Sequence, residues 1–346
     1  MTRYAILLAP MALFGCNGDK DSGSTGGTSD GDDGGGCTVE ISPGYPSDGA
    51  TDAYYRSNVE FSLSEEDASA TVTLEGPDGA VDGSSSVVTN ADGTISAVFT
   101  PSAALAPSTN YTATAEACSG GATGSVSFTT SGLGTPTTCD PTGETYILDL
   151  ANARFLEPAG VADLLLGQLE DDIMVGVESV GEGSIQMIGA IGTGGTQDYC
   201  NPSIPFPEAD YEDPYFVIGP EDATISVAGV SVQISNLMVS GDIASDCSYV
   251  GGAVLAGELD ARVLAPLVGE LLGSGDDPDE VCALLVNFGV ACGSCSSDGA
   301  NYCIDILADQ INGQGGGSTI ECVDEEECHP SCSTSTCGDP TAGECE

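Results

Sequence analysis

The chain has 346 residues, with 54 Asp or Glu against 5 Lys or Arg and one His, and its formal net charge at pH 7 is −49. Nucleic acids and anionic membrane surfaces are bound through basic side chains that neutralise phosphates, so this charge excludes both as partners. The length is sufficient for two or three domains.

The first 15 residues have the features of an export signal. Arg3 gives a positive start, residues 4–14 form an apolar run, and Gly15 is the small residue needed at a cleavage site. The run is too short to cross a bilayer as a helix. We therefore predict a signal peptide over residues 1–15.

The cleavage region, Leu13-Phe14-Gly15-Cys16, resembles the lipobox of bacterial lipoproteins. The resemblance implies that Cys16 becomes the mature N-terminus and carries a diacylglycerol thioether and an N-acyl chain such as palmitate. The membrane would then be a partner through this lipid anchor. Asn17 is not the Asp that retains well-known lipoproteins at the inner membrane. The resemblance thus implies an outer-membrane lipoprotein of the cell envelope, exposed at the cell surface.

The cysteine count also indicates an exported chain. There are 15 cysteines, an odd number, and lipidation of Cys16 leaves 14, enough for seven disulfides without a leftover thiol. The predicted disulfide-forming residues are Cys37, Cys118, Cys139, Cys200, Cys247, Cys282, Cys292, Cys295, Cys303, Cys322, Cys328, Cys332, Cys337 and Cys345.

Residues 16–36 follow as a predicted flexible linker behind the lipidated Cys. They consist mostly of Gly, Ser, Thr and Asp. Without apolar groups to bury, nothing offsets the entropy lost on ordering such a segment.

Residues 37–132 alternate apolar and polar side chains in short segments separated by turn residues such as Asp48-Gly49 and Asp92-Gly93. Period-two alternation predicts strands with one buried face, here an antiparallel β-sandwich. Cys37 and Cys118 bracket the unit with no other Cys between them. We predict that these two residues form a disulfide.

Several segments of this unit resemble the bacterial Ig-like domain of the SbsA type. They are Pro46-Ser47-Asp48-Gly49-Ala50-Thr51-Asp52, Phe99-Thr100-Pro101, Leu105-Ala106-Pro107-Ser108-Thr109-Asn110-Tyr111-Thr112 and Ser127-Phe128-Thr129-Thr130. The resemblance implies an Ig-like fold that serves as a spacer or binding module on cell surfaces.

Residues 139–313 are predicted to form a disulfide-rich α+β domain, with its sheet first and its helices last. Predicted strands cover residues 145–150, 173–180, 184–191 and 215–219, followed by a hairpin over 225–239. Predicted helices cover residues 158–169, 259–271, 277–289 and 301–311. The helix at 277 has the clearest start, because Asp277 can cap it and Pro278 fits its first turn. The predicted fold class is a mainly β multidomain protein with an Ig-like β-sandwich and this α+β domain.

Residues 314–346 form a predicted Gly linker and an acidic Cys-rich tail, which has too few large apolar side chains to build its own core. The tail from Glu321 holds five cysteines and residues 139–303 hold seven. Both numbers are odd, so at least one disulfide should join the tail to the domain.

Three groups of residues are candidates for a chemical or binding role. Cys282, Cys292, Cys295 and Cys303 suit either disulfides, a zinc site or a redox pair, and their spacing and the exported context favour disulfides. His329 is the single histidine and has no evident catalytic partner. Aromatic residues around the loop 199–214 are either binding anchors or cover for the edge of the sheet.

These patterns predict no catalytic residue, no cofactor and no metal, and hence no enzyme. The favoured function is a cell-envelope lipoprotein with an interaction, adhesion or structural role toward other envelope or surface proteins or glycans. One alternative is a carrier of an apolar or lipid ligand in the C-terminal domain. A less favoured alternative is a carbohydrate-active enzyme with two catalytic carboxylates.

Overall fold

The structure is a computed structural model that describes residues 37–90, 93–158, 171–199, 201–227, 230–263, 265, 277–287 and 289–323. Side chains are described for these residues except 223–232. Within this part of the chain, no helix is long and apolar enough to cross a membrane.

Residues 37–132 form the N-terminal lobe, which contains two antiparallel four-stranded sheets. The strand order is β1-β2-β6-β5 in the first sheet and β4-β3-β7-β8 in the second. The strands are β1 (Ile41–Pro43), β2 (Val59–Leu63), β3 (Thr71–Gly76), β4 (Gly79–Ala80), β5 (Gly83–Thr89), β6 (Ile95–Pro101), β7 (Asn110–Ala117) and β8 (Ala122–Thr129).

The two sheets of this lobe bury their alternating apolar side chains in one shared core. Phe61 of the first sheet and Leu74 and Phe128 of the second are all fully buried there. This is the layered, mainly β architecture that the alternation predicts. A disulfide between Cys37 and Cys118, the predicted pair, links the segment before β1 to the end of β7.

Residues 139–323 form the barrel lobe. Among the described residues, eight strands pair in a closed antiparallel ring of order β9-β11-β12-β15-β16-β17-β18-β19, and β19 pairs back to β9. The elements of the lobe are β9 (Thr145–Asp149), β10 (Arg154–Glu157), β11 (Asp172–Val180), β12 (Ser184–Thr193), β13 (Thr196–Gln197), β14 (Ile204–Pro205), β15 (Ala209–Glu212), β16 (Tyr215–Val227), β17 (Val230–Ile243), β18 (Tyr249–Asp260), α1 (Pro278–Val286) and β19 (Cys303–Gly315).

Large side chains fill the interior of the barrel. Tyr146, Met187, Phe216, Ile243 and Val250 come from five different strands and belong to one buried cluster. An eight-stranded barrel is just wide enough for side chains to fill it. This packing does not favour the carrier alternative, because such a carrier needs open space inside the lobe.

The helix predicted over residues 301–311 is wrong, because this segment is strand β19. Its apolar residues Ile304, Ala308 and Ile311 are spaced by four and three residues, as on a helix face. In the strand they are buried in two separate clusters, one beside α1 and one beside β9 and β10. Gln310 has a positive φ of 57°, and the pairing with β18 shifts register nearby, so strict alternation is lost.

The α+β description of residues 139–313 is therefore wrong as well. The last strand of the lobe follows its helix and completes the barrel, so the lobe is mainly β. The predicted loop at 199–214 also contains strands, since β15 bridges β12 and β16 in the ring.

The helix predicted at residue 277 is confirmed as α1. The side chain of Asp277 accepts a hydrogen bond from the backbone N–H of Asp279, and Pro278 occupies the first turn. The hairpin predicted over 225–239 is confirmed by the β16–β17 pairing. The predicted helix at 158–169 and most of the one at 259–271 lie outside the described residues, although Leu259 belongs to β18.

Two glycines on the outer face of the barrel create the space against which the N-terminal lobe packs. A Cβ atom at Gly252 would overlap the ring of Tyr54, and a Cβ atom at Gly251 would crowd Leu133, which directly follows the N-terminal lobe and packs in its core. Gly252 also has a positive φ of 61°, which L side chains rarely adopt. Close approach of the two lobes therefore depends on these two residues having no side chain.

We expect Gly252→Ala to lower the free energy of unfolding by about 1–3 kcal/mol more than Gly194→Ala, because only the former displaces Tyr54. Gly194 is the matched control: its φ is 59°, and a Cβ atom there would meet nothing within 4 Å. Both variants share the left-handed backbone cost of about 1 kcal/mol. Denaturant unfolding of both variants provides the measurement, and equal losses would contradict the role assigned to Gly252.

Candidate functional site

The predicted site residues fall into two groups. Cys16 and the tail cysteines Cys328, Cys332, Cys337 and Cys345, together with His329 and Cys200, lie outside the described residues. Every described cysteine is disulfide-bonded. Besides Cys37–Cys118, the described pairs are Cys139–Cys247, Cys282–Cys292 and Cys295–Cys303.

For Cys282, Cys292, Cys295 and Cys303, the sequence left open disulfides, a zinc site or a redox pair, and these pairs bear on that choice. Cys282 and Cys292 join α1 to the segment after it, and Cys295 and Cys303 close the loop that leads into β19. Asp260 lies close to the sulfurs of Cys295 and Cys303. A zinc site needs free thiolates, so the zinc interpretation is not supported by these disulfide-bonded sulfurs.

The aromatic residues around 199–216 mainly serve packing. Phe216 is buried inside the barrel, Phe206 packs against the same cluster, and the Tyr211 hydroxyl donates to Asp213. Tyr215 lies beneath the guanidinium of Arg56, as described below. These contacts support the interpretation that the aromatic residues cover the edge of the sheet, rather than the interpretation that they form exposed binding anchors.

A cluster of Tyr54, Tyr55, Arg56, Tyr215 and Asp242 joins the two lobes, and we call it the lobe latch. Asp242, on the outer face of β17, is fully buried. Its carboxylate accepts hydrogen bonds from the hydroxyls of Tyr54, at 2.5 Å, and Tyr55, at 2.7 Å. The Nε of Arg56 donates to the Tyr55 hydroxyl at 2.9 Å, and its guanidinium lies 3.8 Å from the ring centroid of Tyr215.

Burial dominates the titration of the carboxyl and hydroxyl groups of the latch. Loss of water raises the pKa of Asp242 above its ordinary value, although the hydrogen bonds from Tyr54 and Tyr55 and the charge of Arg56 act in the opposite direction. Burial, followed by the nearby Asp242, also raises the pKa of both tyrosine hydroxyls. Both tyrosines therefore remain protonated donors at neutral pH.

A second contact between the lobes is centred on Arg154 of β10. This guanidinium binds Glu60 of the N-terminal lobe at 3.0 Å and Asp309 of β19 at 2.6 Å. Burial lowers the pKa of Arg154, but the two carboxylates outweigh it and raise the pKa overall. Arg154 thus stays charged and positions β10 against the outer face of strand β2.

A groove of about 540 Å³ lies beside this ion pair, and we call it the lobe groove. Its floor is the outer face of β2 and β6, one wall is the turn before β6, and the opposite wall is β10. Its lining residues are Glu60, Ser62, Leu63, Ser64, Asn90, Gly93, Thr94, Ile95, Ser96, Arg154, Phe155 and Leu156. It is the candidate functional site.

Neither lobe latch nor lobe groove was predicted from the sequence. The signal available was the rarity of basic residues, since Arg56 and Arg154 stand out among so many acids. Tyr215, on which Arg56 stacks, and Asp309, which binds Arg154, are distant along the chain, and sequence spacing does not reveal such pairs. The lining of the groove includes one carboxylate, Glu60, so this groove does not offer the two facing carboxylates of a glycosidase.

Comparisons with known proteins do not assign the chain to a family. No protein family matches it, and no curated protein matches it. Solved structures with local similarity include an uncharacterized protein from Listeria monocytogenes in complex with glucose, magnesium and calcium, at 10% identity and a TM-score of 0.17. Another is a cycloalternan-forming enzyme from Listeria monocytogenes, at 11% identity and a TM-score of 0.18. In both cases 62% of this chain is covered, against 21% of the other chain.

We expect Asp242→Asn to change how stability depends on pH. Because folding raises the pKa of Asp242, the native state binds more protons there than the unfolded state does, and this residue's contribution to stability falls as pH rises. The free energy of unfolding of the wild type, minus that of Asp242→Asn, should decrease from pH 4 to pH 7. Urea titrations at several pH values measure this difference, and a difference that is constant or rises with pH contradicts the prediction.

We also predict that Cys322 pairs with Cys200. The side chain of Gln197 donates to the carbonyl of Glu321 and accepts from its N–H, and the Ser203 hydroxyl accepts from the N–H of Val323. These contacts align the chain on either side of Cys322 with the segment that contains Cys200. Non-reducing peptide mapping should recover a peptide pair linked through Cys322 and Cys200, which is the predicted bridge between tail and domain. A peptide pair that links Cys322 to another tail cysteine would contradict the prediction.

Proposed function

We propose that this protein is a surface-displayed lipoprotein of the bacterial cell envelope, whose two lobes present a recognition surface rather than a catalytic centre. Cys16 would carry the acyl chains, and residues 17–36 would hold the lobes away from the membrane. We further propose that the N-terminal lobe is an Ig-like domain of the SbsA type. Its two facing sheets and its Cys37–Cys118 bridge support this assignment.

The disulfides are the observation that carries the proposal. All nine described cysteines are oxidised. Disulfides persist in oxidising compartments and are rare in the cytosol, so the bonded state agrees with export past the inner membrane. None of these nine cysteines is present as a free thiol.

The lobe latch and the second contact at Arg154 together support a recognition or structural role. Arg56 and Arg154 form contacts between the lobes from opposite directions, one from the N-terminal lobe and one from β10. Contacts of this kind hold the two lobes in one orientation, which suits presentation of a fixed surface to a partner. The partners we propose are other proteins or glycans of the envelope and surface.

The lipid anchor is tested by mass and by fractionation. The wild-type protein extracted from outer membranes should begin at Cys16 and carry three acyl chains, since the thioether and amide positions together hold three. Cys16→Ser should lack the acyl mass and disappear from the outer-membrane fraction. Asn17→Ala is the control that should keep acylation. An unacylated wild-type protein, or a Cys16→Ser protein that still fractionates with the outer membrane, would overturn the proposal.

A further inference from the structure

We propose that the lobe groove binds a neutral, polyhydroxylated ligand, such as a stretch of neutral glycan. This inference deepens the recognition role proposed above and rests on it for its biological setting. The chemistry of the groove alone identifies the ligand class.

The polar lining of the groove includes groups that can both donate and accept hydrogen bonds, beside the acceptor Glu60 and the donor Arg154. Ser62, Ser64 and Ser96 contribute hydroxyls from the floor, and Asn90 contributes an amide from the turn wall. The Ser64 hydroxyl accepts from the backbone N–H of Glu40, and the Ser96 hydroxyl accepts from the amide of Asn90. Ser62 is exposed and has no side-chain hydrogen bond within the described part of the chain. An apolar lipid would leave the Ser62 hydroxyl without a partner, at a free-energy cost for its desolvation. A hydroxyl group of a sugar matches it.

The remaining lining provides an apolar surface on the opposite wall. Phe155 and Leu156 of β10 line this wall and are half-buried, and Phe155 also packs against the cluster of Ala308 and Ile311. Aromatic and aliphatic side chains pack against apolar faces, and the C–H face of a sugar ring is such a surface. A cleft of about 540 Å³ is within the range of small-molecule binding sites.

The charge of the groove selects against anions. Arg154 is the cation of the lining, and its guanidinium is already bound by Glu60 and Asp309. Two carboxylates against one guanidinium leave the site with a negative balance, within a protein of net charge −49. A uronic acid or a phosphate-bearing ligand would be repelled. The ligand that the site accepts is therefore uncharged.

The floor of the groove offers no unpaired strand edge to an extended peptide. Strand β2 is paired with β1 and β6, and β6 is paired with β2 and β5, so both floor strands have neighbours on each side. A peptide that binds as an added strand requires an unpaired edge. The floor presents only side chains to a ligand. The hydroxyl groups of a sugar can hydrogen-bond to these side chains, whereas a peptide main chain needs backbone partners.

The test uses the purified exported protein on an array of neutral oligosaccharides that includes maltohexaose, cellohexaose and mannohexaose, with hexagalacturonic acid as the anionic comparison. We expect at least one neutral oligosaccharide to bind and hexagalacturonic acid not to bind. For the neutral binder, Ser62→Tyr should weaken the affinity at least tenfold in a calorimetric titration, because the new ring occupies the groove. Ser62 is exposed, so the variant leaves the core unchanged.

Ser86→Tyr is the matched control, since Ser86 is an exposed serine of β5 in the same sheet but outside the groove lining. Its affinity should equal that of the wild type. The proposal is overturned if no neutral oligosaccharide binds, if hexagalacturonic acid binds equally well, or if Ser62→Tyr binds like the wild type. The lipid anchor is measured separately by mass, so failure of the groove and failure of the anchor are distinguishable.

Discussion

Pairing of β19 with β9 is the constraint on which the rest of the structure depends. It closes the barrel, so that the ring strands β9 and β19 leave no open edge between them. The same strand β19 also pairs with β10, which aligns Arg154 with Asp309. Arg154 then reaches Glu60 of the N-terminal lobe. Closure of the barrel, one contact between the lobes and one wall of the lobe groove therefore all rest on a single strand.

The three arginines of the described residues all make internal contacts. Arg56 stacks on Tyr215, Arg154 bridges two carboxylates, and Arg262 binds Asp260 and Asp298 beside the Cys295–Cys303 bond. The ion pairs of Arg154 with Glu60 and Asp309 are partly buried, so salt screens them less than it screens exposed pairs. The surface of the described lobes is left strongly acidic as a result.

Prediction from the sequence succeeded where one local rule decided the conformation. Val59, Phe61 and Leu63 alternate because one face of β2 is buried and the other is not, and Asp277 caps α1 through its own side chain. It failed at β19, where burial on both faces and the irregularity at Gln310 give Ile304, Ala308 and Ile311 a helical spacing. It also missed β15, a four-residue strand in a segment rich in Pro and acidic residues. Its pairing with β12 and β16 is set by the ring, since so short a segment has little preference of its own.

The sequence by itself determined the mainly β character, the alternating strands of the N-terminal lobe and the cap of α1, because each depends on residues a few positions apart. The odd cysteine count and the Leu13–Cys16 segment also predict that the chain is exported. Only the tertiary structure decided the barrel, the pairing of Asp242 with Tyr54 and Tyr55, and the lobe groove. These features join residues more than 90 positions apart, as in the bond from Arg154 to Glu60 and the bond from Tyr54 to Asp242. Which of 54 acids meets a given hydroxyl or guanidinium depends on how the sheets close, and that is a property of the whole fold.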